Sequence, residues 1–167
     1  VMIHGGPTAR ARSELDPGIQ FWTTRGFAVV DVNYRGSTGF GREFRRELDG
    51  QWGIADVDDC VGALRFLAGT RRADPSRCVI RGGSAGGFTV LRAILDAPDV
   101  FAAGTSRYGV VDLAALVADT HKFEARYLDR LIGPYPQEAE RYRERSPLSS
   151  LALLSRPVLV QQGGRDR

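Results

Sequence analysis

The sequence predicts an α/β domain built on a parallel sheet, and three observations carry that prediction. Short β-rich runs alternate with segments of helical periodicity along the chain. The run Phe27-Ala28-Val29-Val30 is apolar without alternation, as expected of a strand buried on both faces. Gly82-Gly83-Ser84-Ala85-Gly86 stands where a strand gives way to a helix. Strand, helix, strand in this order implies right-handed crossovers between parallel neighbours, with helices on both faces of the sheet.

The elements follow in order. Val1 to His4 is a strand that runs into the turn Gly5-Gly6-Pro7, and Gly26 to Tyr34 is a second strand. From Val57 to Ala68 the apolar positions Val57, Cys60, Val61, Leu64, Leu67 and Ala68 recur at helical spacing. Asp56, Asp58 and Asp59 complement the positive end of that helix, and Gly69 ends it. Arg77 to Arg81 is a third strand, Ala85 to Asp96 a helix stopped by Pro98, and Phe101 to Val111 a fourth strand with its turn. Val110 to Ile132 and Pro136 to Leu154 read as mainly helical, broken at Gly133-Pro134, before Pro157 opens the last strand, Val158-Leu159-Val160.

A chain of 167 residues, 43% hydrophobic and 26% charged, is the size and mix of one globular domain, which buries roughly 70% of its unfolded surface. Disorder, collagen and a disulfide scaffold are excluded. The net charge of +3 comes mainly from arginines dispersed among acids, so neither nucleic acid nor a membrane surface is an expected partner. The run Arg141-Tyr142-Arg143-Glu144-Arg145 mixes both signs in a helical setting and reads as a solvated face. No apolar run approaches the roughly 20 residues of a membrane span. Cys60 and Cys78 lie in apolar-periodic segments without metal-ligand spacing and are expected to be buried free thiols; no metal or cofactor is expected. The chain begins at Val1, inside an apolar run, and reads as a piece of a longer protein, expected to be cytoplasmic.

Chemistry concentrates at Ile80-Arg81-Gly82-Gly83-Ser84-Ala85-Gly86-Gly87-Phe88. Gly-x-Ser-x-Gly at a strand-to-helix junction is the setting of a nucleophile elbow, in which a serine takes strained backbone angles and holds its Oγ above the sheet. Small residues two before and two after it let strand and helix approach. The glycine spacing fits neither a dinucleotide-binding loop nor a Walker lysine motif. Acyl transfer also requires donors where the oxyanion develops: one is expected from the Ala85 N–H, the other from Gly5 or Gly6 in His4-Gly5-Gly6-Pro7, the loop after the first strand.

These residues resemble the prolyl oligopeptidase family of serine peptidases, especially its acylaminoacyl-peptidase and dipeptidyl-aminopeptidase-like branch. The resemblance spans nearly the whole chain. Besides the two loops above, it rests on Asn33-Tyr34-Arg35-Gly36-Ser37-Thr38-Gly39-Phe40-Gly41, Trp52-Gly53 with Asp56-Val57, and His121-Lys122-Phe123-Glu124. It implies an α/β-hydrolase catalytic domain, truncated at both ends here, that usually follows a β-propeller. It also implies Ser84 as nucleophile and Asp166, in Gln162-Gly163-Gly164-Arg165-Asp166 after the last strand, as the acid that orients a histidine. Val110, Phe123 and Tyr127 fall where the family walls its pocket, although helical core packing accounts for them equally well. Arg35, in the same signature loop as Tyr34, is expected to be either buried by carboxylates such as Asp56 or in contact with a substrate carbonyl.

The chain departs from the family in one respect: after Asp166 only Arg167 remains, so no histidine follows the acid. Of the two histidines present, His4 belongs to the oxyanion motif. His121 lies between nucleophile and acid, where the family does not use it as the base. The resemblance implies short peptides as substrates, the parent's own propeller as partner, and an inactive fragment. A carboxylesterase on the same fold and a non-catalytic interaction domain are the alternatives.

Overall fold

A computed structural model of the chain describes residues 1–119 and 126–165. Five strands, β1 (Met2–Ile3), β2 (Asp31–Val32), β3 (Val79–Gly83), β4 (Ala103–Arg107) and β5 (Val158–Gln161), form one sheet in the order β2-β1-β3-β4-β5. Every neighbouring pair is parallel. Each strand lies in or overlaps a predicted run, but the first two are far shorter. Only Asp31 and Val32 of the run from Gly26 to Tyr34 pair, because their partner β1 is itself two residues long before the chain turns at Gly5-Gly6-Pro7.

Among the described residues seven helices join the strands: α1 (Pro17–Thr23), α2 (Gly41–Arg46), α3 (Ala55–Gly69), α4 (Ala85–Asp96), α5 (Leu113–Asp119), α6 (Tyr127–Leu131) and α7 (Ala139–Arg145). The helix from Ala85 to Asp96 has the predicted bounds. Helices α1 and α2 were not predicted, since neither buries a residue and so neither carries an apolar period. The start of α1 is nonetheless written in Asp16-Pro17: the Asp16 carboxylate accepts from Gly18 N at 2.6 Å, and Pro17 occupies the first turn. The two long stretches read as mainly helical resolve into short helices, with a 3₁₀ segment at Pro147–Leu153.

One face of the sheet packs under α4, which α3 supports from the side. Along that face β3 and β4 present Ile80, Gly82, Gly104 and Ser106, all buried, and Gly104 lets Val90 and Ile94 of α4 settle on the sheet. The opposite face carries Arg81, Thr105 and Arg107, half-buried, and Trp22 of α1 lies 6.0 Å from the Arg81 guanidinium. Among the described residues the expected helical cover is complete only under α4: on this second face α1 buries no residue, and Val79 and Leu159 stay exposed. Trp52, Tyr34, Phe88, Phe101 and Tyr142 are fully buried and dominate the core. Cys60 and Cys78 are buried and unpaired. Among the described residues no helix is long and apolar enough to cross a membrane.

Two polar expectations are corrected. Arg35 pairs with Asp59, which accepts from its backbone N–H at 2.6 Å and from Nε at 3.0 Å, and not with Asp56, which turns toward α4. Arg145 is not on a solvated face: it donates to the carbonyls of Trp52 and Gly50, each at 3.0 Å, and so fixes the loop before α3. Arg141 and Arg143 do sit at the surface, paired with Glu138 and Glu140.

Asp56 is completely buried. Burial pushes its carboxyl up from 3.8 to about 6, while hydrogen bonds from Thr89 and Gly53 pull the other way and Asp59 adds to the rise. Between these two values the folded state holds a proton that the unfolded chain has released, so Asp56 makes stability fall as pH rises through this window. In the parent protein, the unfolding free energy of wild type relative to Asp56→Asn should therefore drop between pH 4 and pH 7, by on the order of 3 kcal/mol. A difference that stays flat with pH in urea titrations would contradict this assignment.

Candidate active site

Ser84 links β3 to α4 with φ 56° and ψ −125°, in the left-handed half of backbone space that a residue with a Cβ avoids. Such strain, on the order of 1–3 kcal/mol, persists only where the surroundings impose it. They do so here on both sides: Ser84 N donates to Arg107 O at 3.0 Å, and Phe88 N donates to Ser84 O at 3.1 Å. The predicted small-residue spacing has a direct steric cause. A Cβ on Gly82 would stand 2.5 Å from Gly86 O, and one on Gly86 would stand 2.6 Å from Ile3 O. Strand, helix and the end of β1 meet through these bare backbones.

The loop after β1 lies against the elbow: a Cβ built on Gly5 would sit 3.3 Å from Gly83 O and 3.6 Å from Ser84 Cβ. Three side chains hold this loop. Tyr34, fully buried, donates from its hydroxyl toward Pro7 O at 2.9 Å and His4 O at 3.2 Å. The His4 ring stacks on Tyr34 at 4.3 Å, with Nε2 2.8 Å from Ser37 Oγ and Nδ1 2.8 Å from Gly5 O. The Tyr127 hydroxyl is 2.7 Å from Thr8 Oγ1. Among the described residues, neither Gly5 nor Gly6 uses its N–H in a turn or cap, and Ala85 N–H stands at the open first position of α4.

Both ring nitrogens of His4 are engaged and so not free for a substrate, and burial lowers its pKa, against a smaller opposing effect of the Gly5 carbonyl. It acts as a clip for the loop. Burial raises the Tyr34 phenol well above its ordinary value, which keeps the hydroxyl a donor at every physiological pH.

The register of the sheet brings the end of β5 close to this corner, because Gly83 pairs with Arg107 and Arg107 with Gln161. Asp166 follows Gln161 by five residues but lies outside the described residues, as do Phe123 and His121. Tyr127 and Val110 are half-buried against the core, and of these two, among the described residues, Tyr127 has a hydrogen bond into the loop after β1.

Two participants were missed from sequence. Tyr34 was singled out in its loop, but nothing in the local pattern shows that its hydroxyl reaches back to His4 and Pro7. Tyr108 was read only as strand and turn. It takes φ 39°, its N–H donates to Gln161 O at 2.7 Å, and its half-exposed phenol covers Gly83, the residue before Ser84. A bulky residue in a left-handed conformation ahead of Gly109 leaves no sequence signature.

Ser84 is thus a strained serine at a strand-to-helix turn with the Gly5-Gly6 loop packed against it, a setting known from nucleophile elbows. The chain is 32% identical over 171 residues to dipeptidyl aminopeptidase BIII of Pseudoxanthomonas mexicana, covering 99% of this chain and 25% of that protein. It is 32% identical over 173 residues to the acylamino-acid-releasing enzyme of Arabidopsis thaliana, covering 99% and 22%. Among solved structures, a Mycobacterium tuberculosis puromycin-hydrolysing peptidase superposes with TM-score 0.94 at 49% identity, covering 97% of this chain and 24% of that one. An acylaminoacyl peptidase in complex with Z-Gly-Gly-Phe-chloromethyl ketone superposes with TM-score 0.86 at 30% identity, covering 96% and 26%. The chain spans about a quarter of the length of these relatives. The description of the prolyl oligopeptidase family matches residues 13–167, and the chain belongs to that family, with the α/β-hydrolase fold of its peptidases.

Proposed function

We propose that the parent protein is a serine peptidase that hydrolyses short peptides and aminoacyl amides through an acyl-enzyme on Ser84. The observation that carries this reading is the left-handed backbone of Ser84 with the Gly5-Gly6 loop seated against it. Ser84 Oγ attacks the substrate carbonyl and gives its proton to a histidine supplied by a part of the parent beyond these residues. The oxyanion that forms is held by the Ala85 N–H and by Gly5 or Gly6. Collapse breaks the C–N bond, the imidazolium returns the proton to the leaving amine, and water then hydrolyses the acyl-enzyme by the same base.

Asp166 accepts a hydrogen bond from the imidazole, fixing its tautomer and stabilising the imidazolium. It follows the end of β5 by five residues in sequence, and the register that sets Gln161 beside Arg107 and Arg107 beside Gly83 supports this role. Val110, Phe123 and Tyr127 wall the pocket for the residue before the scissile bond, and the bond from Tyr127 to the Thr8 hydroxyl supports that placement. Similarity to a puromycin-hydrolysing peptidase favours substrates with a free amino group and one aminoacyl amide bond. A β-propeller ahead of the domain, as the family implies, restricts access to small substrates. The unpaired thiols Cys60 and Cys78 support a cytoplasmic setting.

In the parent protein a fluorophosphonate should label Ser84 alone, and Ser84→Ala should abolish both labelling and hydrolysis of an aminoacyl amide. Labelling that survives the substitution moves the nucleophile elsewhere. Asp166→Asn should preserve the fold and lower kcat by on the order of 10⁴, the loss that follows when an imidazole is held in the wrong tautomer. A loss below about tenfold would assign the acid to another residue. Turnover of p-nitrophenyl esters without any turnover of peptide or aminoacyl amides would make the protein a carboxylesterase.

A further inference from the structure

Beyond the residues that border the reacting carbonyl, one buried ionisable group has no part in the chemistry just described. Asp56 is completely enclosed, a setting in which a carboxylate costs stability. Its two oxygens are committed in different directions. Oδ1 accepts from Gly53 N at 2.6 Å, and Oδ2 accepts from the Thr89 hydroxyl at 2.6 Å. Thr89 is itself fully buried, one turn into α4, with Oγ1 3.1 Å from the carbonyl of Ala85. Asp56 thus joins the loop before α3 to the first turn of the helix that begins at Ser84.

The apolar contacts around this bond run the same way. The Trp52 ring lies 4.5 Å from that of Phe88, and a Cβ on Gly53 would stand 3.0 Å from Phe88 Cζ, so the loop is fitted against α4 without slack. Arg145 fixes the far side of this loop through Trp52 O and Gly50 O. Gly86, in the same first turn, touches the carbonyls of Ile3 and His4. A shift of that turn would therefore move Ser84 Oγ and the Ala85 N–H together against the Gly5-Gly6 loop.

We propose that Asp56 is a positioning residue for acyl transfer: through Thr89 it holds the first turns of α4, and with them Ser84 and the Ala85 N–H, in register with the oxyanion loop. A fold that needed only packing here would do as well with two apolar side chains, since replacing both partners of a buried polar pair by apolar groups of like shape is nearly neutral. Two aligned hydrogen bonds fix direction, which apolar contact does not. The expected consequence is a loss in the transition state with little loss in substrate binding.

This inference rests on the proposed role of Ser84, and the test separates the two. In the full-length parent, Thr89→Val keeps the shape of the side chain and removes the donor, Thr89→Ser keeps the donor, and Asp56→Asn removes the charge. Rates on an aminoacyl amide are taken per serine titrated to completion with a fluorophosphonate, so that only folded enzyme is compared. Thr89→Val and Asp56→Asn should each lower kcat by roughly tenfold with KM within about twofold, and Thr89→Ser should recover kcat to within about threefold. The double variant should lose clearly less than the product of the two single losses, because both act on the Asp56–Thr89 contact, Asp56→Asn also altering the bond to Gly53. Full kcat per titrated serine in Thr89→Val, equal losses in Thr89→Val and Thr89→Ser, or additive losses in the double variant would each overturn the inference. Activity that persists in Ser84→Ala overturns the proposed function instead.

Discussion

The geometry of this molecule depends on one close approach, that of the first turn of α4 to the end of β1. Gly86 lies so near the carbonyls of Ile3 and His4 that a methyl group could not stand between them. Because α4 begins at Ser84, this contact sets the distance from the serine to the loop that follows β1. Everything else at the corner acts on one side of it. Tyr34, Ser37 and Tyr127 hold the loop, while Thr89, Asp56 and the ring pair Trp52–Phe88 hold the helix.

The cost of this arrangement is visible in the groups buried beside it. A carboxylate and a phenol are enclosed, and burial alone moves both toward their neutral forms. The Tyr34 hydroxyl meets carbonyls, and Asp56 meets an N–H and an O–H, so neither is left without partners. Direction is what these bonds contribute, since a hydrogen bond loses strength quickly off axis while apolar packing does not. Placed under a strained serine, directional contacts resist the relaxation that would turn the Ser84 backbone to ordinary angles.

The order of the strands, the helices α3 and α4, the parallel sense of the sheet and the elbow were legible, because each has a local cause. The 3.6-residue period marks α3, and glycines at fixed offsets from Ser84 mark the close approach, whereas the continuous apolar run Phe27-Ala28-Val29-Val30 misled: it precedes β2, with Phe27 and Ala28 exposed, and is not a strand buried on both faces. Helix α1 escaped because a seven-residue surface helix buries nothing and so leaves no period, although its Asp16-Pro17 start was readable. The extent of β2 escaped because a strand ends where its neighbour ends, and β1 supplies only two pairing residues.

What the sequence determined by itself is therefore the fold class, the site of the strained serine and the loop that faces it, since these follow from steric and periodic rules acting over a few residues. Only the tertiary structure decided which polar side chains serve that site. Asp56 and Asp59 are three residues apart and alike in chemistry, yet one is turned inward to Thr89 and the other outward to Arg35. Arg145 reads as a surface charge and instead fixes a buried loop. Tyr34 spans thirty residues to reach His4, and Tyr127 reaches back to Thr8 across 119. Partners at such separations are chosen by how the layers pack, and no local pattern in the sequence records that choice.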